Sequence, residues 1–291
     1  MFDYDEPLYR PPSEADSAIV QATLGCSHNR CAFCLMYKSK RFRARPRQAV
    51  LDDLSALAEL RPRARRVFLA DGDALVLSTE RLLQIAEHSF KVFPQLERIA
   101  TYANPSNLLH KSVEELRRLR DAGLQIVYVG LESGDDEILA RIDKGATKDE
   151  VVEACRRARE AGIAVSITVL LGLGGRERSE IHARATAAAL TEIDPEYASA
   201  LTLMLGPFEQ AFAERAGPWT PITPAETLAE LQWLVDGLHP TDCVFRTNHA
   251  SNYLPLRGTL PGDREALLEI IRTARADPTG RSLRPEWARG L

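Results

Sequence analysis

The sequence predicts an α/β protein built on a parallel sheet, and three observations carry that expectation. Short apolar runs alternate with amphipathic stretches at a repeat of roughly 30 to 40 residues, the period of successive β/α units. The chain of 291 residues is 45% apolar and 27% charged, enough for one large domain of barrel size with a sizeable core. Glycines and polar residues collect where the apolar runs end, which is where parallel β/α barrels carry their chemistry.

Taken in order, strands are expected at 18–25, 67–70, 99–102, 126–131, 165–171 and 197–203, with helices at 47–60, 79–91, 112–122, 148–161, 178–192 and 224–238. That makes six β/α units. Thr147 followed three residues later by Glu150 reads as a capping box, Gly162 ends the helix it opens, and Gly123 ends the one beginning near Ser112. Beyond the sixth helix, 243–246 reads as a seventh strand and 263–273 as a last helix, while the tail from Asp277, rich in Pro, Gly and Arg, is expected to be loosely held. The expected organisation is a core at 16–205 and a C-terminal extension at 206–291 packed on the same domain.

Bulk properties exclude several classes. The net charge of -4 is too weak to recommend nucleic acid or membrane, and no apolar run reaches the roughly 20 residues of a bilayer span. The acidic start Met1-Phe2-Asp3-Tyr4-Asp5-Glu6 lacks the basic region of a signal peptide, so a cytoplasmic location is expected. Five cysteines, an odd number with three crowded together, argue against a disulfide framework. Two basic runs stand out, one from Lys38 through Lys40, Arg41, Arg43 and Arg45 to Arg47, the other at Arg61, Arg63, Arg65 and Arg66. Each is either a solvated face or a contact for an acidic partner, such as an electron-donor protein or a phosphate-bearing substrate.

The chemistry concentrates first in Gly25-Cys26-Ser27-His28-Asn29-Arg30-Cys31-Ala32-Phe33-Cys34. Three thiolates after a strand can hold three irons of a cubane 4Fe-4S cluster and leave the fourth iron open. Adding His28 gives instead a closed, structural zinc site, although that histidine sits inside the gap between Cys26 and Cys31, where simultaneous coordination is cramped. Later strand ends carry Asp71-Gly72-Asp73, Tyr102-Ala103-Asn104, Glu132-Ser133-Gly134, Gly172-Leu173-Gly174-Gly175 and Thr247-Asn248-His249. Taken singly, Asp73 and Glu132 could instead be helix-cap or loop acids and the glycines a tight turn, which lacks the spacing of a dinucleotide fingerprint; jointly, at two strand ends of one barrel, chance is a poorer account of the acids. Cys155 and Cys243 read as core residues, and His88, His110, His182 and His239 as surface or capping residues.

The order of strand, three-cysteine loop and five further β/α units resembles the radical S-adenosylmethionine (SAM) superfamily over residues 16–205, closest in pattern to the branch of oxygen-independent coproporphyrinogen oxidase and the tRNA methylthiotransferases. The resemblance implies a partial (β/α)6 TIM-like barrel, with the C-terminal extension closing it. It implies a [4Fe-4S] cluster on Cys26, Cys31 and Cys34, with Phe33 against the adenine of SAM. Asp71, Gly72 and Asp73 then receive the SAM amino group, and Glu132 and Ser133, within Gly130-Leu131-Glu132-Ser133-Gly134, reach the ribose. The Gly172 to Gly174 turn lets backbone approach the adenine, Lys144 meets the carboxylate, and Thr168 and Tyr102 supply further polar contacts. One departure stands: the usual spacing of the cysteines is three residues and then two, and here it is four and then two.

By the same resemblance, an electron from the reduced cluster breaks a carbon–sulfur bond of SAM, and a 5′-deoxyadenosyl radical takes a hydrogen from substrate. The implied partners are a small-molecule substrate and an acidic electron donor such as flavodoxin or ferredoxin, with nucleic acid not favoured. Arg246-Thr247-Asn248-His249-Ala250-Ser251-Asn252-Tyr253 is expected to close the barrel top, with Asn248, His249 and Asn252 touching substrate, or else to be a satisfied polar turn. Two alternatives remain: a zinc-stabilised nucleic-acid-binding module using Lys38 to Arg47, and a tRNA-modifying radical enzyme, for which no appended RNA-binding domain and no second cluster is evident.

Overall fold

A computed structural model describes residues 4–277 and 279–290; residues 1–3 of the acidic start, and 278 and 291 of the tail, lie outside the described residues. In chain order the strands and helices are β1 (Ala18–Gln21), β2 (Thr23–Leu24), β3 (Arg43–Ala44), α1 (Arg47–Leu60), β4 (Arg66–Ala70), α2 (Thr79–Val92) and β5 (Arg98–Tyr102). Then come α3 (Pro105–Leu109), α4 (Val113–Asp121), β6 (Leu124–Glu132), α5 (Asp136–Arg141), α6 (Lys148–Glu160), β7 (Ala164–Leu171) and α7 (Gly175–Ile193). The chain ends with β8 (Tyr197–Thr202), α8 (Glu209–Ala216), α9 (Pro224–Gly237), β9 (Cys243–Arg246), β10 (Arg257–Leu260) and α10 (Arg264–Ala276). The class is α/β, and the main strands are parallel except for β10, as the alternating pattern predicts.

Two compact units make up the chain. The first holds the residues up to Asn29, Cys34–Val129 and Glu153–Val165. Its strands run β1-β4-β5-β6, all parallel, with Val20 opposite Leu69, Phe68 opposite Ala100 and Thr101 opposite Val127. Phe68 is fully buried and meets Tyr102 and Tyr128 edge to face, with centroids 5.1 and 6.0 Å away. A side chain of that size contributes about 1.5–3 kcal/mol when it leaves water. The helices start where side chains replace missing backbone partners: Ser112 and Glu115 form a capping box on α4, and Ser78 caps α2. The expected single strand at 18–25 breaks at Ala22, because Thr23 and Leu24 leave to pair antiparallel with Ala44 and Arg43. That small ribbon closes the cysteine loop at its base.

The second unit holds Arg30–Phe33, Gly130–Val152 and the chain from Ser166 onward. Here β7, β8 and β9 are parallel, and β10 returns antiparallel along β9. Its core gathers Ile138, Leu139, Ile142, Leu170, Leu173, Leu205 and Phe212, with Phe33 and Trp219 packed at the margin. Thr147 and Glu150 exchange the hydrogen bonds of the expected capping box. The seventh strand and last helix are present as β9 and α10, and Cys155 and Cys243 are buried. The tail corrects the expectation of a loose end: the guanidinium of Arg284 donates to the carbonyls of His249, Ala250 and Asn252, each at 2.9 Å. Arg289 adds a bond to the Ser251 carbonyl at 2.7 Å and lies 3.9 Å from the centre of the Tyr253 ring. Among the described residues no helix is long and apolar enough to cross a membrane.

Candidate active site

In the first unit, the turn after β4 is tied to the start of the cysteine loop. Asp71 is fully buried and pairs with the Lys40 ammonium at 2.9 Å, while also accepting from the Gly25 N–H at 3.0 Å and Gln21 at 3.3 Å. Its carboxylate therefore fixes the residue before Cys26. Asp73 is equally buried and accepts from the Ser27 N–H at 3.2 Å, from the Ser27 hydroxyl and from the Asn107 amide. Burial raises its pKa, against the hydrogen bonds from Ser27, Asn104 and Asn107 that lower it. Between the two acids, Gly72 leaves room for the Tyr37 ring, which occupies the space any Cβ would need. Asn104 points its amide at the Cys26 sulfur, 3.6 Å away. Tyr102 belongs to the aromatic group around Phe68.

In the second unit, Glu132 ends β6 in a left-handed conformation with φ 64°, unusual for a residue with a side chain. It pairs with Lys144 at 3.0 Å, the two side chains being only 10% and 7% exposed. Two residues singled out independently in the sequence are thus brought together. The Ser133 hydroxyl is buried and lies 2.8 Å from His182 Nδ1, while accepting from the Asp135 N–H at 3.0 Å. His182 is 2% exposed, which corrects the surface expectation. With Nε2 donating to the Leu170 carbonyl at 3.0 Å, Nδ1 accepts the Ser133 proton. Thr168 is half-buried on β7, opposite Ser199.

Gly172 follows β7 at φ 85°, a conformation glycine adopts at little cost. Its N–H donates to Glu230 at 2.6 Å, and its carbonyl accepts from the Trp219 indole at 3.1 Å. Gly174 lies against Ile138 and His182. Glu230 on α9 is fully buried and bonds through its other oxygen to the Ser179 hydroxyl; burial raises its pKa. In the C-terminal stretch, Asn248 is exposed and His249 half-buried, its Nδ1 2.9 Å from the Ser251 hydroxyl. Asn252 is a strut: it donates to the carbonyls of Ala200 and Thr247 at 2.9 and 2.8 Å and accepts from Thr202 at 2.9 Å.

The sequence matches the Radical SAM superfamily over residues 20–187, more than half of the chain. The chain belongs to the radical SAM superfamily. Members of that family use a [4Fe-4S] cluster and SAM. Curated relatives include the heme chaperone HemW of Bacillus subtilis, 28% identical over 50% of this chain and 38% of its own length. A second is a tRNA-2-methylthio-N(6)-dimethylallyladenosine synthase of Aquifex aeolicus, 24% identical over 58% of this chain and 40% of its own. The matched span is thus well under half the length of these relatives. Among solved structures, coproporphyrinogen III oxidase (HemN) of Escherichia coli aligns with a TM-score of 0.57 at 17% identity, covering 76% of this chain and 51% of that one. The radical SAM methyltransferase TsrM of Kitasatospora setae aligns at 0.54 and 20%, covering 91% and 53%. At these identities the likeness establishes the fold, that of radical SAM barrels.

The superfamily's cluster can be tested against the residues present. Cys26, Cys31 and Cys34 are partly exposed thiols outside any disulfide, a soft donor set suited to iron and sulfide. The buried Tyr37 hydroxyl has no hydrogen-bond partner; burial raises its pKa, with smaller contributions from Tyr102, Asp71, Cys34 and Cys26. An orphaned buried donor three residues past Cys34 suits a bound group at this loop. Among the described residues no three His, Cys, Asp or Glu side chains are placed to hold a single metal ion. Family membership sets aside the zinc module. Its basic stretch is partly structural: Lys40 is buried against Asp71, and Arg45 pairs with Asp53 at 2.5 Å. In the second run, Arg61 serves the carbonyls of Ser17 and Asp16, and Arg65 pairs with Glu97.

Sequence reasoning missed Lys40, Asn107, Trp219 and Glu230. Lys40 was hidden inside a charge run, and Glu230 in an amphipathic helix whose acids read as solvated. Nothing in linear spacing marks either as buried.

Proposed function

We propose that Cys26, Cys31 and Cys34 hold a [4Fe-4S] cluster and that SAM lies along the strand ends of the 16–205 core. When bound, the cluster supplies the electron that splits SAM into methionine and a 5′-deoxyadenosyl radical, which takes a hydrogen atom from a small-molecule substrate. The observation that supports this most is the tethering of Gly25 and Ser27, on either side of Cys26, to Asp71 and Asp73 in a chain of this superfamily.

Residue roles follow from their surroundings. The Asp71-Gly72-Asp73 turn orients the cysteine loop and presents its outer edge to the SAM amino group. Lys144, paired with Glu132 through Oε1, offers its cation to the SAM carboxylate, while Glu132 reaches the ribose. Ser133 fixes the end of β6 through His182. Phe33, Gly172 and Gly174 form the adenine side, with Thr168 and Tyr102 as flanking polar groups. In the 206–291 extension, Asn248 and His249 face substrate and Asn252 anchors their loop. The exposed Lys38, Arg41 and Arg43 suit an acidic electron donor such as flavodoxin or ferredoxin.

The test is anaerobic reconstitution followed by reduction with SAM. A brown protein with about four irons per chain that releases 5′-deoxyadenosine supports the reading. A chain that takes up no iron, or takes it up and leaves SAM intact, refutes it. Adding candidate metabolites and, separately, tRNA then asks which one receives or donates label to the deoxyadenosine, and only a positive result with tRNA would favour the tRNA-modifying alternative.

A further inference from the structure

We propose that Glu230 and Trp219, which lie outside the stretch matching the superfamily, are positioning residues for SAM: they hold the Gly172 peptide in the shape the bound adenosine requires. The proposal rests on the reading above that the Gly172 turn meets SAM. It goes further in assigning that turn's shape to the C-terminal extension.

Both polar atoms of Gly172 are engaged from that extension. The N–H donates to Glu230 Oε1 at 2.6 Å and the carbonyl accepts from Trp219 Nε1 at 3.1 Å. The Gly172 carbonyl also accepts a local bond from the Gly175 N–H at 3.1 Å. The two peptide planes that flank the Gly172 Cα are thus each held, and a residue at φ 85° with no side chain to anchor it depends on such bonds for its orientation.

The choice of residue at position 230 strengthens the case. Glu230 sits among Leu228, Ala229, Leu231 and Leu234, all buried, where a leucine would satisfy packing. An acid there carries a desolvation penalty and persists only with its oxygens hydrogen-bonded. One oxygen serves Gly172 and the other Ser179 on α7, the helix that begins just past the same turn. His182 Nε2 lies 3.6 Å from the first oxygen, so the acid also backs the histidine that fixes Ser133. Trp219 has a parallel double engagement. Its ring meets Phe212 edge to face at 5.0 Å and borders the same apolar cluster as Phe33, the residue assigned to the adenine side, while its N–H holds Gly172.

The test measures equilibrium binding of SAM by calorimetry to the anaerobically reconstituted, unreduced full chain, with iron content and thermal midpoint recorded for each variant. Glu230→Ala weakens SAM by about tenfold, the upper end of what one lost hydrogen bond supplies, at unchanged iron content. Glu230→Gln stays within about threefold, because its amide can still accept from Gly172 and donate to Ser179. Trp219→Phe keeps the ring packing, loses only the N–H, and weakens SAM by about fivefold. Should Glu230→Ala fail to fold, Trp219→Phe and Glu230→Gln decide the matter. Folded, iron-loaded Trp219→Phe that binds SAM as the wild type does would overturn the proposal, as would a Glu230→Gln as weak as the alanine variant. A wild-type chain that loads iron but binds no SAM fails at the earlier step and takes down the functional reading itself.

Discussion

Removing the Asp71 carboxylate tests how the cysteine loop is held. The group is fully buried, and its cation, Lys40, has a side chain only 4% exposed at 2.9 Å. In Asp71→Ala the ammonium keeps the Asp5 carbonyl and a half-exposed Asp5 carboxylate at 3.6 Å, and the Gly25 N–H loses its acceptor. Breaking a buried pair from one side costs about 3–5 kcal/mol, and an orphaned buried N–H about 1–3 kcal/mol. These terms overlap, and Asp5 offsets part of the first, so the expected loss is about 4 kcal/mol. Against a typical stability of about 5–15 kcal/mol, that is a large share. The double variant Lys40→Met, Asp71→Leu removes both charges and leaves chiefly the Gly25 N–H, for an expected loss of about 1–2 kcal/mol. Urea unfolding of the metal-free chain reads both values from the midpoint at constant slope. Iron uptake by Asp71→Ala should fall as well, since Gly25 directly precedes Cys26. A single-variant loss below about 1 kcal/mol, or a double variant no more stable than the single, would refute the reasoning.

Serine at Cys26, Cys31 or Cys34 should each abolish iron uptake, while serine at the buried Cys155 leaves iron per chain unchanged; full iron in any of the first three would contradict the ligand assignment. Lys144→Met strands the buried Glu132 charge and should lower stability by about 3 kcal/mol and SAM affinity at least tenfold, by urea unfolding and calorimetry. His249→Ala should abolish substrate-dependent turnover while uncoupled release of 5′-deoxyadenosine continues; unchanged turnover would remove it from the substrate side. Burial, and secondarily Arg284, lowers the His249 pKa below 6.5, so the unfolded chain binds this proton more readily than the native one. Its contribution to stability is therefore present above about pH 6.5 and is lost as pH falls toward the lowered native pKa. Urea titrations from pH 7.5 to 5 should show that decline in the wild type and a shallower one in His249→Asn.

Much of this architecture was legible because it is carried by period and punctuation. The run Val165 to Leu171 could only be a buried strand, and Thr147 with Glu150 declared the start of α6 before any coordinate did. What escaped was short or long-range. The strand at 18–25 breaks because Ala22 hands its carbonyl to Arg45 and Arg43 pairs with Leu24, partners about 20 residues away in sequence that no local pattern can announce. The tail from Asp277 has the composition of a loose end, yet Arg284 finds three carbonyls in one turn. Site chemistry followed the same division. Cysteine spacing and strand-end acids were visible, whereas Lys40 inside a basic run, and Glu230 on an amphipathic helix, became specific only when burial showed which charges lack water.

The longer spacing between Cys26 and Cys31 has a physical place in this loop. Asn29, one of the four residues between them, is left-handed at φ 42°, a conformation asparagine tolerates better than other residues with side chains. Its amide donates to the carbonyls of Tyr37 and Lys40 at 2.8 and 3.4 Å, joining the first half of the loop to the last. Lys38 closes the same circuit by donating to the Asn29 carbonyl at 2.8 Å. The turn that accommodates the added residue is therefore bonded to Tyr37 and Lys40. Lys40 in turn pairs with Asp71, and the Tyr37 ring fills the space beside Gly72. An insertion that would otherwise slacken a metal loop is held by the strand-end turn that already anchors Gly25 and Ser27. Departing from the family's usual spacing need not loosen the cysteines, because the constraint on the loop comes from Asp71 and Asp73 and not from its length.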